Sequence, residues 1–226
     1  LTSLSATAPG VHVRAQHSLL AGLEKRALVA IAERLPPRIT PDHLSVLALA
    51  AMMAAGASFA AFRVTRWAAV GVVASLAMNW FGDSLDGTLA RVRRQERPRY
   101  GFYVDHASDL AGIAILFGGL ACSTMMNPLV ALVLLAAWLL VMAEAFLATH
   151  AAATFRMSLW GFGPTELRIV LAAGALKLMD GGTVSLGPFG SVHLFDVGGI
   201  VGIAGLAVAF LVSALQNTVA LFRARC

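Results

Sequence analysis

Asp83, Asp86, Gly87, Ala90 and Arg91 stand at offsets 0, 3, 4, 7 and 8, the spacing of one face of an α-helix. A single stripe therefore carries two carboxylates, two small residues and an arginine. Nine residues separate Arg91 from Gly101, which opens a second set, Gly101, Asp105 and Asp109, at intervals of four. So short a connection makes the two helices antiparallel neighbours, and both acidic stripes then lie at the same end and face each other across a groove. Four carboxylates within a few ångströms repel, and in a partly dry setting they take up protons unless cations are supplied. Oxygen donors without histidine or cysteine suit a hard ion, Mg²⁺ or Mn²⁺. Two such ions, about 3.5 to 4 Å apart, suit phosphoryl transfer because they position the entering and leaving oxygens while neutralising charge on phosphorus. Larger side chains at Gly87 and Ala90 would keep a planar base or a diphosphate away from the helix, and Arg91 offers a fork for phosphate oxygens. A plainer reading pairs the acids with Arg91, Arg93, Arg94, Arg97 and Arg99 in a solvated network at the membrane edge. It leaves the two stripes and their small residues unexplained.

The elements that must position these residues are membrane helices. Of the 226 residues 58% are apolar and only 13% charged, and the mean hydropathy is +0.78, which excludes disorder, a secreted disulfide scaffold and a soluble nucleic-acid binder. The net charge of +5 fits orientation and anionic lipid contact better than a nucleic-acid partner. Cys122 and Cys226 have no metal-ligand spacing and read as bystanders. Leu1 to Gly10 hold no cleavable apolar core, so insertion is expected to rely on internal spans. Leu20, Leu23, Ala27 and Ile31 recur at helical spacing, predicting an amphipathic surface helix over about His17 to Leu35, closed by Pro36 and Pro37. Thr40, Pro41 and Asp42 form a helix start.

Spans are expected at about Leu44–Phe62, from Trp67 past Trp80 toward Pro98, and at Gly101–Cys122, Pro128–Ala153, Thr165–Met179 and Phe195–Leu221. The expected fold is thus all-α integral membrane: six transmembrane helices (residues 44–226, catalytic) preceded by a cytoplasmic juxtamembrane segment (residues 1–43). All 17 Lys and Arg except Arg63, Arg66 and Lys177 then fall on one side, which places both termini and the acidic site in the cytoplasm. Gly181 to Gly190 reads as a turn-rich outer loop, and Gly198 with Gly202 as a close helix packing or an oligomer contact. Met52, Met53, Met125 and Met126 read as fillers, Trp67, Trp80 and Trp160 as interface anchors, and Trp138 as packing.

The run Asp83-Ser-Leu-Asp86-Gly87-Thr-Leu-Ala90-Arg91, with Gly101, Asp105 and Asp109 after it, closely resembles the signature of the CDP-alcohol phosphotransferase (CDP-alcohol phosphatidyltransferase) family, class I. The expected spans, the cytoplasmic termini and the amphipathic helix are also similar to that family. The resemblance implies that an alcohol attacks a CDP-linked donor, CMP leaves, and a phosphodiester of phospholipid biosynthesis remains, with one of the two substrates a lipid. It implies two divalent cations, Mg²⁺ or Mn²⁺, on Asp83, Asp86, Asp105 and Asp109, with Asp109 also taking the proton of the attacking hydroxyl. It further implies a cytidine diphosphate site at Gly87, Ala90, Arg91 and Gly101, with Thr40 at the mouth of the first span. A homodimer in a bacterial inner or plasma membrane is expected from the family alone.

The motif does not choose the acceptor. An anionic acceptor would favour Arg156 and Arg168, whereas an amino-alcohol would favour Glu144 or Glu166, and a structural Glu144–Arg168 pair is an equal alternative. His106 and His150 read as packing or orienting histidines, although a histidine after the third acid resembles the choline and ethanolamine branch. Two other classes compete: an aspartate-rich intramembrane prenyltransferase, which lacks the Gly87, Ala90, Arg91 pattern, and a cation-coupled transporter, which would hold its acids near the midplane on interrupted helices.

Overall fold

In the computed structural model, which describes residues 21–152, 164–185 and 190–223, the described residues form seven helices and one short hairpin. Helix α1 (Ala21–Arg34) buries Leu28 and Ala32 against Leu44, Leu85 and Leu89. Leu28 and Ala32 lie one position along from Ala27 and Ile31 of the face expected to lie on a bilayer, which remain exposed. Arg93 fixes the connection after α1, its guanidinium donating to the carbonyls of Leu35 (2.9 Å), Pro36 (3.0 Å) and Ile39.

Helix α2 (Pro41–Ala61) starts as its sequence suggests: Thr40 Oγ1 accepts from the His43 amide (3.4 Å) and His43 Nδ1 accepts from the Thr40 amide (3.2 Å), a reciprocal capping box. Helix α3 (Ala68–Val92) carries the first acidic stripe and ends before the proline expected to stop it, because Arg94 turns into the left-handed region at φ 54°. Helix α4 (Pro98–Ala121) carries the second stripe, and α5 (Pro128–Ala152) and α6 (Pro164–Leu178) follow. The segment expected as an outer loop, Gly181 to Gly190, holds β1 (Thr183–Ser185), which pairs with β2 (Ser191–His193) just beyond it in antiparallel register Val184↔Val192. Helix α7 (Leu194–Arg223) completes the chain.

Among the described residues five helices, α2, α3, α4, α5 and α7, are long and apolar enough to cross a membrane. The 15 residues of α6 rise only about 22 Å, short of the ~30 Å hydrocarbon core. Length thus supports five of the six expected spans.

Helix α2 lies between α3 and α4, and small residues set how near they come. A Cβ on Gly119 would stand 2.0 Å from the Gly56 carbonyl oxygen, so α4 rests backbone on backbone against α2. A Cβ on Gly82 would stand 2.8 Å from the Leu44 carbonyl oxygen and 3.0 Å from the Ala48 amide, so α3 touches α2 in the same way beside the acidic stripe. Phe59, Val72, Leu116, Phe117 and Leu120 fill the core below. On α7 the expected close glycine packing holds for Gly202 but not for Gly198 within the chain. Gly198 faces open space, while Gly199 packs on Met126 and Val130 and Gly202 on Leu134 of α5, because the α5 contact falls one residue further along the helix.

Candidate active site

Asp83 and Asp86 from α3 and Asp105 and Asp109 from α4 line one cavity, joined by Ser45 of α2, Asn79 of α3, Ser108 of α4 and Arg168 of α6. The carboxylates of the two stripes therefore share one cavity, but α3 and α4 are not the packed neighbours that the short connection led us to expect: each packs on α2, which lies between them. Apolar side chains, among them Met52, Leu76, Ile113, Leu116 and Trp138, close the deep end. The interior holds about 60 Å³, room for a handful of waters or small ions at the ~10–15 Å³ each requires.

Each α3 carboxylate is held. Asp83 Oδ2 accepts from Arg168 Nη2 at 2.8 Å, with the two side chains 29% and 13% exposed. Asp86 Oδ2 accepts from Ser45 Oγ at 2.6 Å, and its Oδ1 accepts from the Gly87 amide at 2.5 Å. One turn deeper, Asn79 is buried and donates through Nδ2 to the Ala48 carbonyl at 2.9 Å. Its Oδ1 is buried with no hydrogen-bond partner among the described residues. Ser45, Gly82 and Asn79 together fix the α2–α3 seam along the acidic stripe.

Toward the motif end, Gly87 and Ala90 are half-buried, and Arg91 and Gly101 are exposed. Arg91 donates to Thr88 Oγ1 at 3.3 Å, and a Cβ on Gly87 would meet its guanidinium at 3.6 Å. A Cβ on Gly101 would meet nothing within 4 Å. None of these four motif residues lines the cavity. Thr40 also stands apart, capping α2 and bordering a second depression with Asp42, Gln95, Glu96 and Arg97. Arg97 is paired with Asp42 and lies 4.2 Å over the Tyr100 ring; the hydrogen bond to Asp42 raises its already high pKa. Arg93 and Arg97 are thus committed elsewhere, which weakens the solvated-network reading of the acids.

Of the residues expected near the acceptor, Arg168 lines the cavity, Glu166 is exposed on the first turn of α6, and Arg156 lies outside the described residues. The Glu144–Arg168 pair is not formed. Glu144 instead accepts from Ser213 Oγ (2.7 Å) and Asn217 Nδ2 (2.6 Å), joining α5 to α7. His106 is buried, with Nδ1 2.7 Å from the Phe102 carbonyl oxygen and 3.6 Å from Asp105 Oδ2, its ring stacked on Phe102 and edge-on to Phe146. His150 is exposed near the end of α5.

Among the described residues no three His, Cys, Asp or Glu side chains stand close enough together to hold a metal ion as they are oriented. The chemistry of the wall nonetheless fits a hard cation, since four carboxylates and two hydroxyls supply oxygen donors alone.

The profile of the family described as CDP-alcohol phosphatidyltransferase matches residues 38–215, from just before α2 into the last third of α7. The chain belongs to that family. No curated protein matched the sequence. Members of the CDP-alcohol phosphatidyltransferase family transfer a phosphatidyl-type group from a CDP-alcohol, and this chain is an all-α, multi-pass membrane member. Sequence reasoning missed three polar residues of this transferase's cavity. Asn79, four before Asp83, extends the acidic stripe by one turn and was legible as such. Ser45, isolated in an apolar span, offered a weaker signal, and Ser108, next to Asp109, offered none. Trp138, read as packing, forms part of the cavity wall.

Proposed function

We propose that the protein transfers a substituted phosphate from a CDP-alcohol to a hydroxyl acceptor, releasing CMP, in phospholipid biosynthesis. The observation that carries this reading is the convergence of Asp83, Asp86, Asp105 and Asp109 on one small cavity. Two Mg²⁺ or Mn²⁺ ions bound there would draw the diphosphate oxygens and neutralise charge developing on phosphorus.

The chain's own residues supply the rest. Asp83, Asp86 and Asp105 hold the cations, with Asp109 as the fourth ligand. Gly87, Ala90 and Gly101 admit the nucleotide, and Arg91 takes a phosphate oxygen with its guanidinium fork. Asp109, set one turn deeper than Asp105, accepts the proton of the attacking hydroxyl. Ser45 keeps the Asp86 carboxylate oriented, and apolar groups at the deep end keep water from competing as the acceptor. Arg168 in the cavity wall supports an acceptor that bears an anionic group. In the membrane the basic termini and the site face the cytoplasm, which requires an even number of crossings, so α6 serves as a short sixth crossing where the bilayer thins around it, and one soluble and one lipid substrate reach the same groove; two copies pair as a homodimer.

The test is to incubate purified protein with CDP-diacylglycerol or CDP-choline, Mg²⁺ and a panel of alcohols, and to follow CMP. Metal-dependent CMP release that requires one acceptor supports the reading. Absence of CMP with every donor, alongside prenyl transfer or ion flux, overturns it.

A further inference from the structure

Arg168 is joined to Asp83 at 2.8 Å in the wall that also carries Asp86, Asp105 and Asp109. Its side chain is mostly buried, at 13% exposure, and it comes from α6, whereas the four carboxylates come from α3 and α4. Four carboxylates against one guanidinium give the cavity a formal charge of −3. Two divalent ions would change that to +1, with the guanidinium as the excess.

We propose that Arg168 and a divalent cation compete for Asp83, and that the cation, by taking this carboxylate, releases the guanidinium to an anionic oxygen of the substrate. Cation and anion then bind cooperatively, each removing what opposes the other. The proposal rests on the two-metal reading above and adds the order of assembly: cation first, phosphate-bearing substrate second. The rival geometry keeps Arg168 on Asp83 as an outer-shell partner that orients the carboxylate for the ion. In that case losing Arg168 weakens metal binding, so the two arrangements differ in sign.

Mn²⁺ alone is the probe. Free Mn²⁺ is followed by electron paramagnetic resonance in a titration of detergent-solubilised full-length protein, with and without inorganic phosphate and with no donor present. Arg168→Gln is expected to tighten Mn²⁺ binding by roughly three- to tenfold, the scale of a partly buried ion pair. Arg168→Lys, which keeps the charge, should stay near the wild type. Phosphate should tighten Mn²⁺ in the wild type and lose that effect in Arg168→Gln.

A measurement on the wild type alone covers the case in which Arg168→Gln does not fold. Phenylglyoxal labelling of Arg168, read by peptide mass spectrometry, should rise with Mn²⁺ and fall again when phosphate is added. Weaker or unchanged Mn²⁺ binding in a folded Arg168→Gln, or labelling indifferent to Mn²⁺, overturns the competition while leaving the metal site intact. Absence of any saturable Mn²⁺ binding to the wild type overturns the two-metal reading itself, and this inference with it.

Discussion

Gly82→Ala sets helix propensity against the packing that aims the site. Alanine inside a helix is favoured over glycine by about 1 kcal/mol, so α3 taken alone would gain. The added Cβ, however, would stand 2.8 Å from the Leu44 carbonyl oxygen, 3.0 Å from the Ala48 amide and 3.1 Å from the Ala48 Cβ. Two of these atoms belong to the α2 backbone and cannot rotate away. To restore ordinary contact α3 must retreat by about half an ångström, at an overpacking cost of roughly 1–3 kcal/mol. Asn79, Asp83 and Asp86 ride on the same turns, and Asp86 would draw away from Ser45, now 2.6 Å distant. Where a misplacement of ~1 Å costs about a hundredfold in rate, half of it costs about tenfold.

The assay measures CMP release together with thermal unfolding in detergent, and Gly118→Ala serves as the control because a Cβ there meets nothing within 4 Å. Turnover should fall about tenfold in Gly82→Ala with stability unchanged or lowered, and Gly118→Ala should match the wild type in turnover. Wild-type turnover and higher stability in Gly82→Ala would refute the claim that backbone contact between α2 and α3 aims the carboxylates.

Two further substitutions probe the chemistry. Asp109→Asn preserves shape and removes the proton acceptor, so CMP release should drop at least about a hundredfold with the unfolding temperature nearly constant; undiminished turnover would take Asp109 out of the mechanism. Gly101→Leu enters open space and should leave folding intact while raising KM for the CDP-linked donor by about tenfold, and an unchanged KM would move the nucleotide site elsewhere.

The parts of the fold set by local rules were legible in the residues. Thr40, Pro41 and Asp42 announce the start of α2, the runs of hydropathy mark the five long helices although they suggested a sixth span as well, and the spacing from Asp83 to Asp109 puts four carboxylates at one end of α3 and α4. Contacts between distant segments were not legible. The periodicity of Leu20, Leu23, Ala27 and Ile31 marks a helix but not that its neighbours Leu28 and Ala32 cover Leu85 and Leu89, since lipid and protein interior are both apolar. Arg168 carries no mark that separates Asp83 from Glu144 as its partner; the rotation of α6 about its axis decides that, and it depends on packing. The same holds for α7, where a difference of one residue distinguishes Gly198 from Gly199.

The claim beneath all of this is that two antiparallel helices bring four aspartates together to hold paired cations. Anomalous scattering from crystals grown at saturating Mn²⁺ tests it most directly. Two peaks within the cavity bounded by Asp83, Asp86, Asp105 and Asp109, both lost in Asp83→Asn/Asp105→Asn, are the result expected. A cavity without anomalous density, in protein that still releases CMP after exhaustive chelation, would contradict it.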